Sequence, residues 1–316
     1  MPSRPAVIGI VLFWLVVTAV VVNREVIPRF FGDEPPAPDF VAVDELSSAT
    51  VNWTLYRGPA DGSADEPIGK MTSRTEYVAA DDSFRFVNTY RGVTLRVVVF
   101  DVTVPTATTA VRVSREGELR EQSLRGTAEL DLGRLVGAGA GVRKLTGSAE
   151  VDGVVRDGRL EGTASLTADL VGGTTTAAFT PVPVPHGQVL NPLMPVDRLR
   201  GVVPGRRWVV RQVDPLRDVI WELMLKGLHE GRTKLGEEPG QAPKLTLPPA
   251  PELLARVLRE PVALDRPGGA VSCWVIEYES TDPPVSARTY VRRDDGRVLR
   301  QEATAHGERL RFERED

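Results

Sequence analysis

Residues 126–170 alternate between small or apolar side chains and polar ones, and this period dictates strands over that stretch. Gly126, Ala128, Leu130 and Leu132 alternate with Thr127, Glu129 and Asp131. Leu145, Gly147, Ala149 and Val151 alternate with Thr146, Ser148, Glu150 and Asp152. Leu160, Gly162, Ala164, Leu166, Ala168 and Leu170 alternate with Glu161, Thr163, Ser165, Thr167 and Asp169. Successive side chains of a strand point to opposite faces, so the pattern predicts three half-buried strands with one wet face. Asp157–Gly158 supplies the left-handed residues of a tight hairpin turn. The stretch 136–142 (VGAGAGV) lacks the Lys-Ser/Thr ending of a phosphate loop and reads as a flexible turn.

From about Asp39 to Val171 the rest of this stretch carries the same signal. Residues 49–57, 69–78, 83–90 and 94–104 are rich in Val, Thr, Tyr and Phe, with turn residues such as Asp81–Asp82 and Arg91–Gly92 between them. The inward face of the meander is small, at Gly147, Ala149, Gly162 and Ala164. Small side chains let a helix, a second layer or a hydrophobic ligand approach a sheet closely. These four, with Trp274, Ile276 and Tyr278, are the candidate cavity-lining residues.

Five prolines between 181 and 195 mark a crossover or an edge, and a possible sub-boundary near 181–200. Residues 208–213 read as a strand. Asp214 and Pro215 suit the N-cap and first turn of a helix over 215–228, with Leu216, Val219, Ile220, Leu223, Met224 and Leu228 on one face and Gly231 at its end. Pro251 opens a shorter predicted helix that turns Leu253, Leu254, Val257 and Leu258 inward. Residues 271–279 (VSCWVIEYE) are apolar on both faces, Cys273 and Val275 on one, Trp274, Ile276 and Tyr278 on the other. A hairpin joins 287–292 to 297–304 through Asp294-Asp295-Gly296, and 310–312 ends the sheet.

Over residues 200–316, the succession of Gly205–Trp208, a helix pair, the hairpin Tyr290–Arg300 and a last strand resembles the periplasmic lipoprotein-carrier half-barrels, the LolA/LolB-like class. The resemblance implies a curved antiparallel sheet that wraps helices and shelters acyl chains. It is one of pattern, and no binding residue is carried over from it.

At the N-terminus, residues 6–22 (AVIGIVLFWLVVTAVVV) form a run of 17 uncharged residues. As a helix the run measures about 26 Å, near the thickness of a hydrocarbon core. Valines occupy the positions where signal cleavage wants small residues, so an uncleaved signal anchor is expected, spanning the membrane once. The expected organisation is an anchor over 1–31, a Pro-rich linker over 32–38 and an extracytoplasmic domain over 39–316. Arg24 and Arg29 follow the run and Arg4 precedes it, so the charge count leans slightly against a cytoplasmic N-terminus; the N-in arrangement is expected from the short tail before one span and the large domain after it.

Net charge is −4, which excludes a basic nucleic-acid footprint. The single cysteine excludes an internal disulfide framework. His186, His229 and His306 are not at metal-ligand spacing, and no nucleophile elbow, zinc-protease or P-loop pattern occurs. Asp81–Asp82 and Asp294–Asp295 flank turns, where Asp is chosen for local backbone bonding. No catalytic, cofactor or metal residue is therefore expected. The sequence predicts a mainly β (α+β) protein: an N-terminal transmembrane helix, then a curved antiparallel sheet or half-barrel with two or three packed helices. The expected role is non-enzymatic, at the cell membrane, with an envelope protein as partner or a lipid as ligand.

Overall fold

The computed structural model describes residues 37–38, 49–97, 100–115, 117–131, 144–169, 173–179, 181–184, 194–211, 252–281, 284–305 and 307–315. Eighteen strands run through them: β1 (Ala37–Pro38), β2 (Ala49–Pro59), β3 (Glu66–Val78), β4 (Ser83–Val97), β5 (Phe100–Ser114), β6 (Leu119–Asp131), β7 (Lys144–Arg156), β8 (Arg159–Ala168), β9 (Gly173–Ala178), β10 (Val182–Pro183), β11 (Leu199–Arg200), β12 (Arg207–Arg211), β13 (Glu252–Val257), β14 (Val262–Arg266), β15 (Gly269–Thr281), β16 (Pro284–Arg292), β17 (Val298–Ala305) and β18 (Glu308–Arg314).

Sixteen of these form one antiparallel sheet in the order β10-β8-β7-β6-β5-β4-β3-β2-β18-β17-β16-β15-β13-β12, with β9 also on β8 and β14 also on β15. The last strand, β18, pairs with the first long one, β2, so the stretches before and after residues 181–200 build a single sheet. The sheet is strongly curled. Arg266 on β14 donates to the Arg314 carbonyl on β18 at 2.7 Å, although four strand spacings, about 19 Å if flat, separate them.

The expected α+β class is corrected to all-β for the described residues, where no helix occurs. The short helix expected after Pro251 is instead β13, with Leu253, Ala255 and Val257 buried and Glu252, Leu254 and Arg256 exposed. Two neighbours explain the outcome: β12 pairs with one side of β13 and β15 with the other, and Ala255 packs inward where a helix would have used Leu254. No helix of the described residues is long and apolar enough to cross a membrane. The N-terminal run 6–22 and the helix expected over 215–228 lie outside the described residues.

The meander forms the three strands that the alternation predicts, and the structure adds their register. On β7, Ala149 stands opposite Gly126 on one side and Leu166 on the other, and Val151 opposite Leu124 and Ala164. The turn residues Asp157 and Gly158 both take positive φ, 49° and 70°.

The inner face holds the main core: Trp53, Leu55, Met71, Phe84, Phe86, Leu253, Ile276, Val291 and Phe312 are all buried in it. Val111 links it to a second cluster of Leu119, Val151, Leu160, Ala164, Phe179 and Val184. Cys273 and Val275 face the other way, against Leu264, Tyr290 and Leu299. The two-faced apolar strand at 271–279 is thus a strand between two apolar layers.

Candidate functional site

Part of the inner face of the curl, at β3, β17 and β18, is covered by the protein's own backbone. Residues 194–200 run against it as a strap that ends in β11. Ser73 on β3 donates to the Pro195 carbonyl at 3.1 Å, and Gln301 on β17 donates to the Met194 carbonyl at 3.2 Å. Arg314 on β18 donates from Nη1 to the Asp197 carboxylate at 2.7 Å. The Val298 amide reaches the Asp197 carbonyl and the Leu199 amide reaches the Gly296 carbonyl, both at 2.9 Å. Val196 and Leu199 are buried in the main core. A polar side chain on a buried sheet face costs free energy unless it is paired, and Ser73 and Gln301 pair with carbonyls that would otherwise lose water themselves. Where the sequence predicted helices inside the sheet, the described residues show this strap.

The candidate cavity residues fall into two groups that do not share a core cluster. Ile276 and Tyr278 belong to the main cluster and Trp274 packs against its margin. Tyr278 meets Trp208 edge to face with ring centroids 6.3 Å apart, and its burial pushes its hydroxyl up to about 12. The Arg293 guanidinium sits over the Trp274 ring, 4.9 Å from its centroid. Ala164 is buried in the second cluster, while Gly147, Ala149 and Gly162 are half-buried. Crowding between strands accounts for some of the small residues. A Cβ on Gly162 would lie 1.9 Å from the Asp152 carbonyl oxygen, and one on Gly126 2.9 Å from the Ala107 Cβ. Gly162 also lines a groove of about 790 Å³ with Arg112, Glu121, Asp152 and Phe179. Arg112 is ion-paired there with Glu121.

The outer face carries a feature that the sequence reading missed. One transverse row of paired residues crosses six strands: Arg207 (β12), Arg256 (β13), Glu277 (β15), Arg288 (β16), Glu302 (β17) and Arg311 (β18). Glu277 accepts from Arg256 Nη2 at 2.8 Å and from Arg288 Nη2 at 2.9 Å. Glu302 accepts from the Tyr290 hydroxyl at 3.0 Å. Arg311 lies over the Tyr56 ring, 4.5 Å from its centroid, and reaches Asp65 at 3.2 Å. Asp65 also takes Arg309 at 2.7 Å. Signs alternate along the row until its end, where Arg207 and Arg256 face each other across strands. Beside that end, Val209 is 58% exposed and its cross-strand partner Leu254 is 49% exposed. In sequence these charges look like an ordinary scatter of Arg and Glu; only the register aligns them.

Chemically the described residues offer ion pairing, hydrogen bonding and apolar contact. Burial pushes the Cys273 thiol up, despite nearby Arg266, Arg300 and Arg292, so the thiol stays protonated. No group of three or more metal-type ligands occurs among the described residues.

No family model matches the chain, and no curated protein matches it significantly. Among solved structures, a crystal structure of a β-barrel-like protein of domain of unknown function DUF1849 from Brucella abortus is 11% identical, covering 86% of this chain and 97% of that one, with a TM-score of 0.35. At that score the likeness carries no weight for the fold, which rests on the strand pairing itself.

Proposed function

We propose that this protein is a non-catalytic binding scaffold that acts by contact with another protein at the cell membrane, on the extracytoplasmic side. The observation that carries the reading is the strap. Residues 194–200 already occupy part of the inner face through Ser73 and Gln301. The outer face, where Val209 and Leu254 are exposed, is the surface offered to a partner. The uncharged run 6–22 is the reason for placing the protein at a membrane. Site-specific photocrosslinkers at outer-face positions Val209 and Thr304 in intact cells test the reading. One reproducible protein adduct from these positions, absent from a buried control at Val151, is the expected result. Adducts to lipid alone, or none, contradict it.

A second reading is a hydrophobic ligand held against β6, β7 and β8, as in the lipoprotein-carrier class. Half-buried Gly147, Ala149 and Leu166 favour it, since they are apolar and incompletely covered. Native mass spectrometry of the detergent-free protein distinguishes it by a copurifying lipid mass.

A further inference from the structure

We propose that the edge of β12 left unpaired among the described residues accepts an extended acidic segment of a partner protein as an added strand; the proposal rests on the protein-binding reading above. Among the described residues β12 pairs with β13 alone and ends the strand order. A strand edge of this kind, flanked here by the exposed Arg207 and Val209, is a template for one more strand.

The chemistry of that strand follows from the charge row. Glu302, Arg288, Glu277 and Arg256 alternate in sign, and Arg207 then breaks the alternation. Like charges directly opposite each other on paired strands are unfavourable. Arg256 has Glu277 and Glu279 as partners, at 2.8 and 3.5 Å. Arg207 is exposed and has no ion pair among the described residues. An Asp or Glu opposite Arg207 on the next strand restores the alternation. Two positions along on the same face comes Val209, which with Leu254 forms an exposed apolar shelf. The incoming segment therefore carries an apolar residue two places from its acid.

A second copy of this chain does not meet that requirement. Two antiparallel β12 strands centred on Val209 would set Arg207 against Arg211. The strands at the far end of the sheet, β9 (GTTTAA) and β10 (VP), contain no carboxylate. An arginine on an edge strand deters self-pairing, and the same charge selects an acidic guest.

The test uses the full chain and two fluorescein-labelled, end-capped peptides, Thr-Glu-Thr-Val-Thr-Glu-Thr and the same peptide with Lys for each Glu. Fluorescence anisotropy is expected to show binding of the acidic peptide only. Arg207→Glu is expected to weaken that binding on the order of three- to tenfold per opposed charge and to admit the Lys peptide. Methylating alternate amides of the acidic peptide on its pairing edge is expected to abolish binding. Equal affinity for both peptides, binding of neither, or indifference to Arg207→Glu overturns the assignment. Protein adducts from Thr304 but not from Val209 would uphold the scaffold reading while removing this edge.

Discussion

Ser73 and Pro195 are 122 residues apart in the chain, yet the Ser73 hydroxyl donates to the Pro195 carbonyl at 3.1 Å on the buried face of the sheet. Gln301, arriving from the C-terminal strands, holds the adjacent Met194 carbonyl. The strap is thus gripped from β3 and from β17, with β2 and β18 between them.

Ser73→Ala leaves the Pro195 carbonyl without this donor and is expected to cost about 1–3 kcal/mol. Gln301→Ala removes the second grip. Because both act on one strap, their effects are expected to be non-additive, with a coupling of about 0.5 kcal/mol or more in a double-mutant cycle by urea denaturation. Strict additivity would mean that the two contacts are independent.

Asp295 braces the β16–β17 turn, whose Gly296 carbonyl accepts from the Leu199 amide of the strap. Its carboxylate accepts from Arg292 Nε at 2.8 Å and from the Arg297 amide at 3.1 Å. The Arg292 hydrogen bond holds its carboxyl down at about 2, against an ordinary 3.8. A lowered folded-state value stabilises the fold above pH 3.8 and loses that contribution as pH falls towards 2. Solvent screening reduces the effect to about 1 kcal/mol. Asp295→Asn is expected to flatten this part of the stability–pH curve, measured by thermal melts between pH 5 and pH 2.

Gly58 is required where the loop after β2 folds back over the outer face. A Cβ there would lie 2.3 Å from the Ala64 carbonyl oxygen and 2.4 Å from Asp65 Oδ1. Gly58→Ala is expected to lift Asp65 from Arg309 and Arg311 and to destabilise by about 1–3 kcal/mol. Gly92, whose added Cβ would meet nothing within 4 Å, has φ +59 and serves as a comparison for backbone strain alone. No measurable cost for Gly58→Ala would remove the steric account.

Glu277 is nearly buried between two arginines. Glu277→Ala is expected to leave Arg256 and Arg288 repelling each other and to cost about 1–3 kcal/mol, less at high salt. Chemical denaturation at low and at molar salt reads the difference.

Much of the sheet was legible in the chain because period two is a local property. The pairs Ala149–Leu166 and Val151–Ala164 and the turn at Asp157–Gly158 follow from alternation and turn chemistry alone. The hairpin at Asp294–Gly296 was legible for the same reason. Residues 252–257 were misread because Leu253, Leu254, Val257 and Leu258 also fit one face of a helix. The exposed Leu254 broke the alternation that would have revealed a strand. The strap and the charge row were not legible at all. Both depend on register between strands far apart in sequence, which no window of neighbouring residues contains.

The central claim is that residues 194–200 lie inside the curled sheet. Ser73→Cys combined with Pro195→Cys, with Cys273→Ala removing the native thiol, tests it, since the two positions are in contact. Mild oxidation of the native full chain is expected to give an intramolecular disulfide and to protect both thiols from maleimide. Two thiols that stay reduced, and that react in the native chain as fast as in the unfolded one, would contradict it.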